Sequence, residues 1–177
     1  MSGIITDNVG RGSGLVKAAG GGGKILQIVQ NVKTDTASYS GSAWQSITGF
    51  SKAITPIAAG SSFLVNWQMT IGYGRVFSNL HLDIDGAGYN SLTAYVGAAA
   101  GSRARTCAMF DDADSANTSS GNVLDAPTYS LTDVLTYDVR FLTHSAHTGY
   151  INRTSADADN YYTARGASFI TITEIAA

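Results

Sequence analysis

The chain has 177 residues, of which 14% are Asp, Glu, Lys or Arg, and its formal net charge at pH 7 is −2. Soluble domains typically carry about 25% charged residues, so the surface is short of charge, and no basic field exists to draw nucleic acid or an anionic membrane. A single cysteine excludes an intrachain disulfide and a cysteine-only zinc site, and the length suffices for one sizeable core without either.

In chain order, residues 1–23 read apart from the rest. "MSGIITDNVGRGSG" lacks the basic region and unbroken apolar stretch of a secretory leader, which predicts a protein made in a cytoplasm. No run reaches the roughly 18 apolar residues that span a bilayer. "GRGSGLVKAAGGGG" is built of Gly and small residues, with apolar islands at Ile4, Ile5, Leu15 and Val16 that are too small for a core. These features predict an extended docking arm over 1–23 and a folded domain over 24–177.

The run "AGGGGK" invites a phosphate-binding reading. A Walker loop needs Gly, four residues, then Gly-Lys-Ser/Thr, because amides wrap the phosphates and the hydroxyl holds magnesium. Here Ala18 stands where the first Gly belongs and Ile25 replaces the hydroxyl residue. The strand-like "KILQIVQNV" also follows where a helix should start, so the glycines are read as a hinge.

From Lys24 on, the periodicity is that of strands. In "FLVNWQMTIG", Phe63, Val65, Trp67, Met69 and Ile71 share one face while Asn66, Gln68 and Thr70 share the other. "NLHLDID" places Leu80, Leu82 and Ile84 inward and His81, Asp83 and Asp85 outward. "VLTYDVRFLT" sets Leu135, Tyr137, Val139 and Phe141 against Thr136, Asp138 and Arg140. Further strands are expected at 24–32, 43–47, 50–54, 92–96, 103–110, 148–153 and 168–175, with loops at "DGAGYNS", "DDADSANTSSGN" and "NRTSADADNYYTARG". Nine or ten short strands without helical crossovers pair antiparallel in two packed sheets. The expected fold is therefore all-β, an antiparallel β-sandwich of jelly-roll type with an extended N-terminal arm.

Catalytic candidates are few, and no cofactor or metal is expected. His144 and His147 form H-x-x-H without a helix or third ligand to close a metal site. Asp83 and Asp85 project to one strand face beside His81, where a carboxylate pair can form a glycosidase dyad or part of a cation site, although outward polar residues on a half-buried strand are the ordinary expectation. The acidic loop from Asp111 lacks EF-hand spacing, with Ala116 where a ligand belongs and no closing Glu. Cys107 sits in an apolar strand-like setting that predicts an inert thiol. The sequons at Asn117 and Asn152 matter only in a secretory pathway. Tyr89, Tyr161 and Tyr162 lie in loops, where they can pack on their own domain, stack on sugars or fill an interface.

The phrases "MSGIITDNVGRGSGLVKA", "GGKILQIVQNVKTDTAS", "WQSITGFSKAITPIAAGSSFLVNWQM" and "SFITITEIAA" together resemble small tailed-bacteriophage virion proteins, either capsid-decorating (cement) proteins or fibre-tip domains. The resemblance implies a homotrimeric jelly roll whose N-terminal segment docks on the particle, and therefore a non-enzymatic structural protein on the outer surface of a virion assembled in the host cytoplasm. Sparse charge fits a surface shared between identical subunits. On this reading Ile4, Ile5, Leu15 and Val16 anchor the arm to a major capsid protein or another virion protein, with Arg11 and Lys17 pairing to acidic groups. The alternatives are a fibre or receptor-binding protein that contacts host glycan through the loop tyrosines, a lectin-like module, and a glycan hydrolase using Asp83 and Asp85.

Overall fold

The computed structural model describes residues 23–144, 147–161 and 163–177, the side chains of 73 and 111–115 aside. The arm residues Ile4, Ile5, Arg11, Leu15, Val16 and Lys17 and the loop residue Tyr162 lie outside the described residues. The described chain forms β1 (Ile25–Lys33), β2 (Ala37–Ser40), β3 (Gln45–Ile54), β4 (Ser62–Ile84), β5 (Asn90–Ser91), β6 (Ala108–Asp125), β7 (Leu135–Thr143), β8 (Thr148–Ile151) and β9 (Ser168–Ile175). One short 3-10 turn covers Thr93–Tyr95.

Two antiparallel sheets pack face to face. In the first, β9 lies between β1 and the Ser62–Gln68 part of β4, whose other side pairs with the second half of β6. In the second, β7 lies between β3 and the Val76–Ile84 part of β4, and the first half of β6 completes the layer along Gly74–Ser78. The orders β1-β9-β4-β6 and β3-β7-β4-β6 are those of two interlocked Greek keys, a jelly roll in which β4 and β6 each run through both layers. β8 extends the first layer at Ile71–Gly72 and carries β2.

Strand β4 changes layer where its register against β6 slips, between Gly72 and Gly74. A register slip also exchanges which side chains face inward. Before it Phe63, Val65, Trp67, Met69 and Ile71 are buried; after it Val76, Leu80 and Leu82 are. Gly72 is required by close approach, because a Cβ there would overlap the Arg153 carbonyl oxygen. Ile170 and Ile172 of β9, Leu135, Tyr137, Val139 and Phe141 of β7, and Ile47, Phe50 and Ile54 of β3 fill the opposing side of one core. Full burial of such a side chain contributes about 1.5–3 kcal/mol.

Several expected boundaries change. The segments 43–47 and 50–54 are one strand, β3, interrupted by an irregularity between Ser46 and Ser51 where Gly49 has φ 77°. "FLVNWQMTIG" and "NLHLDID" are likewise one strand. The strand expected at 92–96 is the 3-10 turn, and the one expected at 103–110 starts only at Ala108. The largest correction concerns "DDADSANTSSGN", which is no loop but the middle of β6. Among its described side chains Ser119 faces the core and is small, and at Gly121 the Trp67 ring occupies the space where an added Cβ would overlap the indole. Without large apolar residues the segment shows no alternation to read.

Buried polar groups brace the core's ends. Glu174, fully buried, accepts bonds from the Ile57 and Ala58 amides at 2.9 and 3.1 Å and from Gln27 Nε2 at 2.7 Å. Burial alone would raise its pKa, but these donors hold it below the ordinary glutamate value. Tyr137 donates to Asp125 at 3.0 Å inside the sandwich, and burial pushes both groups' pKa values up.

Candidate functional site

The outer face of the second sheet carries a charged cluster. Cross-strand register sets His81 of β4 opposite Asp138 of β7, which lies opposite Ser51 of β3. Asp138 is wholly buried, and its Oδ2 accepts bonds from Arg140 Nε at 2.9 Å and Ser46 Oγ at 2.7 Å. The Tyr89 ring covers the Arg140 guanidinium at 4.5 Å, and Trp44 stands 6.1 Å from the His81 ring. His81 was expected to point into solvent, as was Asp138. Both are buried instead, with β5 paired to β4 at His81 and the Tyr89 and Trp44 rings over the cluster.

Among the described residues, both His81 ring nitrogens and Asp138 Oδ1 lack a hydrogen-bond partner. Burial first, and then the Arg140 charge, push the His81 pKa down to about 4, against the opposing pull of Asp138. The imidazole is therefore neutral at pH 7. A neutral imidazole beside a carboxylate resembles half of a nucleophile-base-orienter chain, yet the Ser46 hydroxyl donates to Asp138 and the imidazole is sealed from solvent. The cluster ties β3 to β7 through Ser46 and Asp138 and supports the Tyr89 ring on Arg140.

The proposed carboxylate dyad is occupied in turns. Asp83 Oδ1 accepts the Gly88 amide at 2.8 Å, and Asp85 Oδ1 accepts the Val134 amide at 2.7 Å. Asp85 itself adopts φ 53°, a left-handed conformation that Asp tolerates better than most residues. His144 and His147 face each other across the β7–β8 turn at 6.1 Å between ring centroids, and among the described residues no group of three His, Cys, Asp or Glu converges on a metal position. Burial raises the Cys107 pKa, and its thiol donates to Asn79 Oδ1 at 3.0 Å. Asn152 is fully buried, donates to the Lys33 and Asp35 carbonyls and accepts from Ser168 Oγ, so this sequon cannot carry a sugar in the folded domain.

The loop tyrosines separate. Tyr89 is half-buried over Arg140, whereas Tyr161 is 91% exposed on the long loop before β9. That loop is tied by Arg165, which grips Asp157 with two bonds of 3.0 and 2.9 Å.

Two surfaces were not anticipated. A groove of about 470 Å³ is lined by Phe77, Met109 and Leu142 with Arg103, Ala104 and His144. The other is the outer face of the first sheet, which forms continuous rows across β1, β9, β4 and β6. They are Ile28-Thr173-Leu64-Leu124, Gln30-Thr171-Asn66-Asn122 and Val32-Phe169-Gln68-Ser120, with Thr70-Thr118 beyond them. Alternation in the sequence showed that Asn66, Gln68 and Thr70 face outward, but not that four strands align their neutral residues.

No protein-family profile matches the sequence, and no curated protein is significantly similar to it. Among the described residues, no helix is long and apolar enough to cross a membrane.

Proposed function

We propose that the chain is a non-enzymatic phage virion protein, a capsid cement that trimerises on the head surface and strengthens the lattice through its N-terminal arm. The observation that carries this reading is the neutral outer face of the first sheet, a surface suited to burial in an assembly. The sequence phrasing points the same way. The described chain enters β1 through Gly23, whose amide donates to the Ala176 carbonyl at 2.9 Å, so Gly23 and the C-terminus lie at one end of the sandwich. Three arms leaving a trimer from one end convert weak docking contacts into one strong attachment. Binding only the assembled lattice stabilises it by mass action.

The test mixes purified protein with undecorated phage heads and counts bound copies by electron microscopy. The full chain is compared with a variant in which Ile4, Ile5, Leu15 and Val16 are replaced by serine. Saturating head binding that the variant loses supports the reading, whereas no head binding by the full chain sinks it. A second reading, a fibre tip that contacts host glycan, is favoured by the exposure of Tyr161. It predicts binding to host cells that Tyr161→Ala weakens and that the arm variant retains. A lectin-like module would bind sugar with no virion partner.

A further inference from the structure

We infer that the outer face of the first sheet is covered, in the assembled protein, by a second copy of this chain. This deepens the self-association part of the reading above and rests on it only for the number of copies.

The argument begins with charge. The rows place fourteen side chains on this face, Thr173 buried and the other thirteen half-buried or exposed, from Ile28, Gln30 and Val32 on β1 across to Leu124, Asn122, Ser120 and Thr118 on β6. None is Asp, Glu, Lys, Arg or His. A water-facing surface carries about 25–35% charged residues, roughly four in fourteen. Interface cores are depleted in charge instead, since a buried ion without a partner is costly.

The chemistry of the rows selects the occupant. The central row holds Gln30, Thr171, Asn66 and Asn122, whose amides and hydroxyl each both donate and accept. Such a row pairs with a surface of its own kind group for group and offers no counter-charge to an ionic partner, and within it Gln30 Nε2 already donates to Thr171 Oγ1 at 2.8 Å. It is flanked by Ile28 and Leu124 on one side and Val32 and Phe169 on the other. Ile28, Val32 and Leu124 are 59%, 51% and 54% exposed, unusual for such residues on a surface that stays wet. Four strands about 4.8 Å apart and four side-chain positions about 6.8 Å apart span roughly 500 Å². Covering it with a surface of equal size buries on the order of 1,000 Å² in total, the lower bound for a specific interface.

Sedimentation of the full chain, wild type against Thr171→Lys, tests this, with Ala53→Lys on the outer face of the second sheet as control. The expected result is an assembled wild type and Ala53→Lys. Thr171→Lys should be a monomer with a native circular dichroism spectrum, its association weakened at least about 100-fold. A monomeric wild type overturns the inference, as does an assembled Thr171→Lys or equal dissociation of the Ala53→Lys control. Should Thr171→Lys fail to fold, hydroxyl-radical footprinting of the wild type decides: Leu124 and Phe169 must be labelled in dilute monomer and protected on association. Protection already in the monomer assigns the face to the chain's own arm and overturns the inference. Assembly without head binding would leave the interface standing and refute the cement reading alone.

Discussion

The outer faces of the two sheets derive from the same two long strands and differ in how they treat charge. On the second sheet, β4 contributes His81 and Asp83, β7 contributes Asp138 and Arg140, and loop residues fold down over them. On the first sheet, the other half of β4 contributes Leu64, Asn66, Gln68 and Thr70, and its neighbours add only neutral side chains. One face has therefore closed on itself by burying an ion pair beneath aromatic residues. The other is left flat and uncharged, in a state that burial by another surface would complete. A surface can lose contact with water by intramolecular cover or by assembly, and this molecule has one candidate for each.

The largest expected effect breaks the self-closed face. Arg140→Met removes the guanidinium that pairs Asp138 and supports Tyr89, leaving a wholly buried carboxylate whose remaining donor among the described residues is Ser46. The expected loss is about 3–5 kcal/mol in urea unfolding; a loss under about 1 kcal/mol would mean that the cluster does not brace the sheet.

Next comes pH. The His81 pKa is about 4 in the folded chain and 6.5 ordinarily, so as pH falls the unfolded chain takes up the proton first. This contribution to stability is complete above about pH 6.5 and is lost between there and 4, amounting to about 2 kcal/mol at pH 5 relative to pH 8. Unfolding midpoints at both pH values, for wild type and His81→Leu, check it, since the leucine variant should lack that component.

Asp85→Ala removes the acceptor of the Val134 amide and places alanine at φ 53°, for an expected loss of about 1–2 kcal/mol. This change measures how firmly the 85–92 loop is held over the second sheet, and a thermal melt unchanged from wild type would remove the brace from the account. The smallest effect is expected on the neutral face. Gln68→Lys should alter the stability of the isolated protomer by less than about 0.5 kcal/mol, so a larger drop would show that the face is already packed within one chain.

The sequence by itself determined the fold class. Alternation in "FLVNWQMTI", "NLHLDI" and "LTYDVRFL" marked every core residue of β7 and most of β4, because a half-buried strand must place apolar side chains on every second residue. The change of phase between Phe63–Ile71 and Leu80–Ile84 was already visible there, although it reads as two strands until the register slip joins them. Tertiary structure decided the rest. β6 was illegible because the bulk at its centre is supplied by Trp67 from the neighbouring strand, so Ser119 and Gly121 carry no local signal. His81 and Asp138 read as solvated because alternation reports which side of a sheet a residue faces and not what later covers that side. The neutral face was hidden for the same reason: its fourteen residues come from four separate segments, and only strand order brings them into rows.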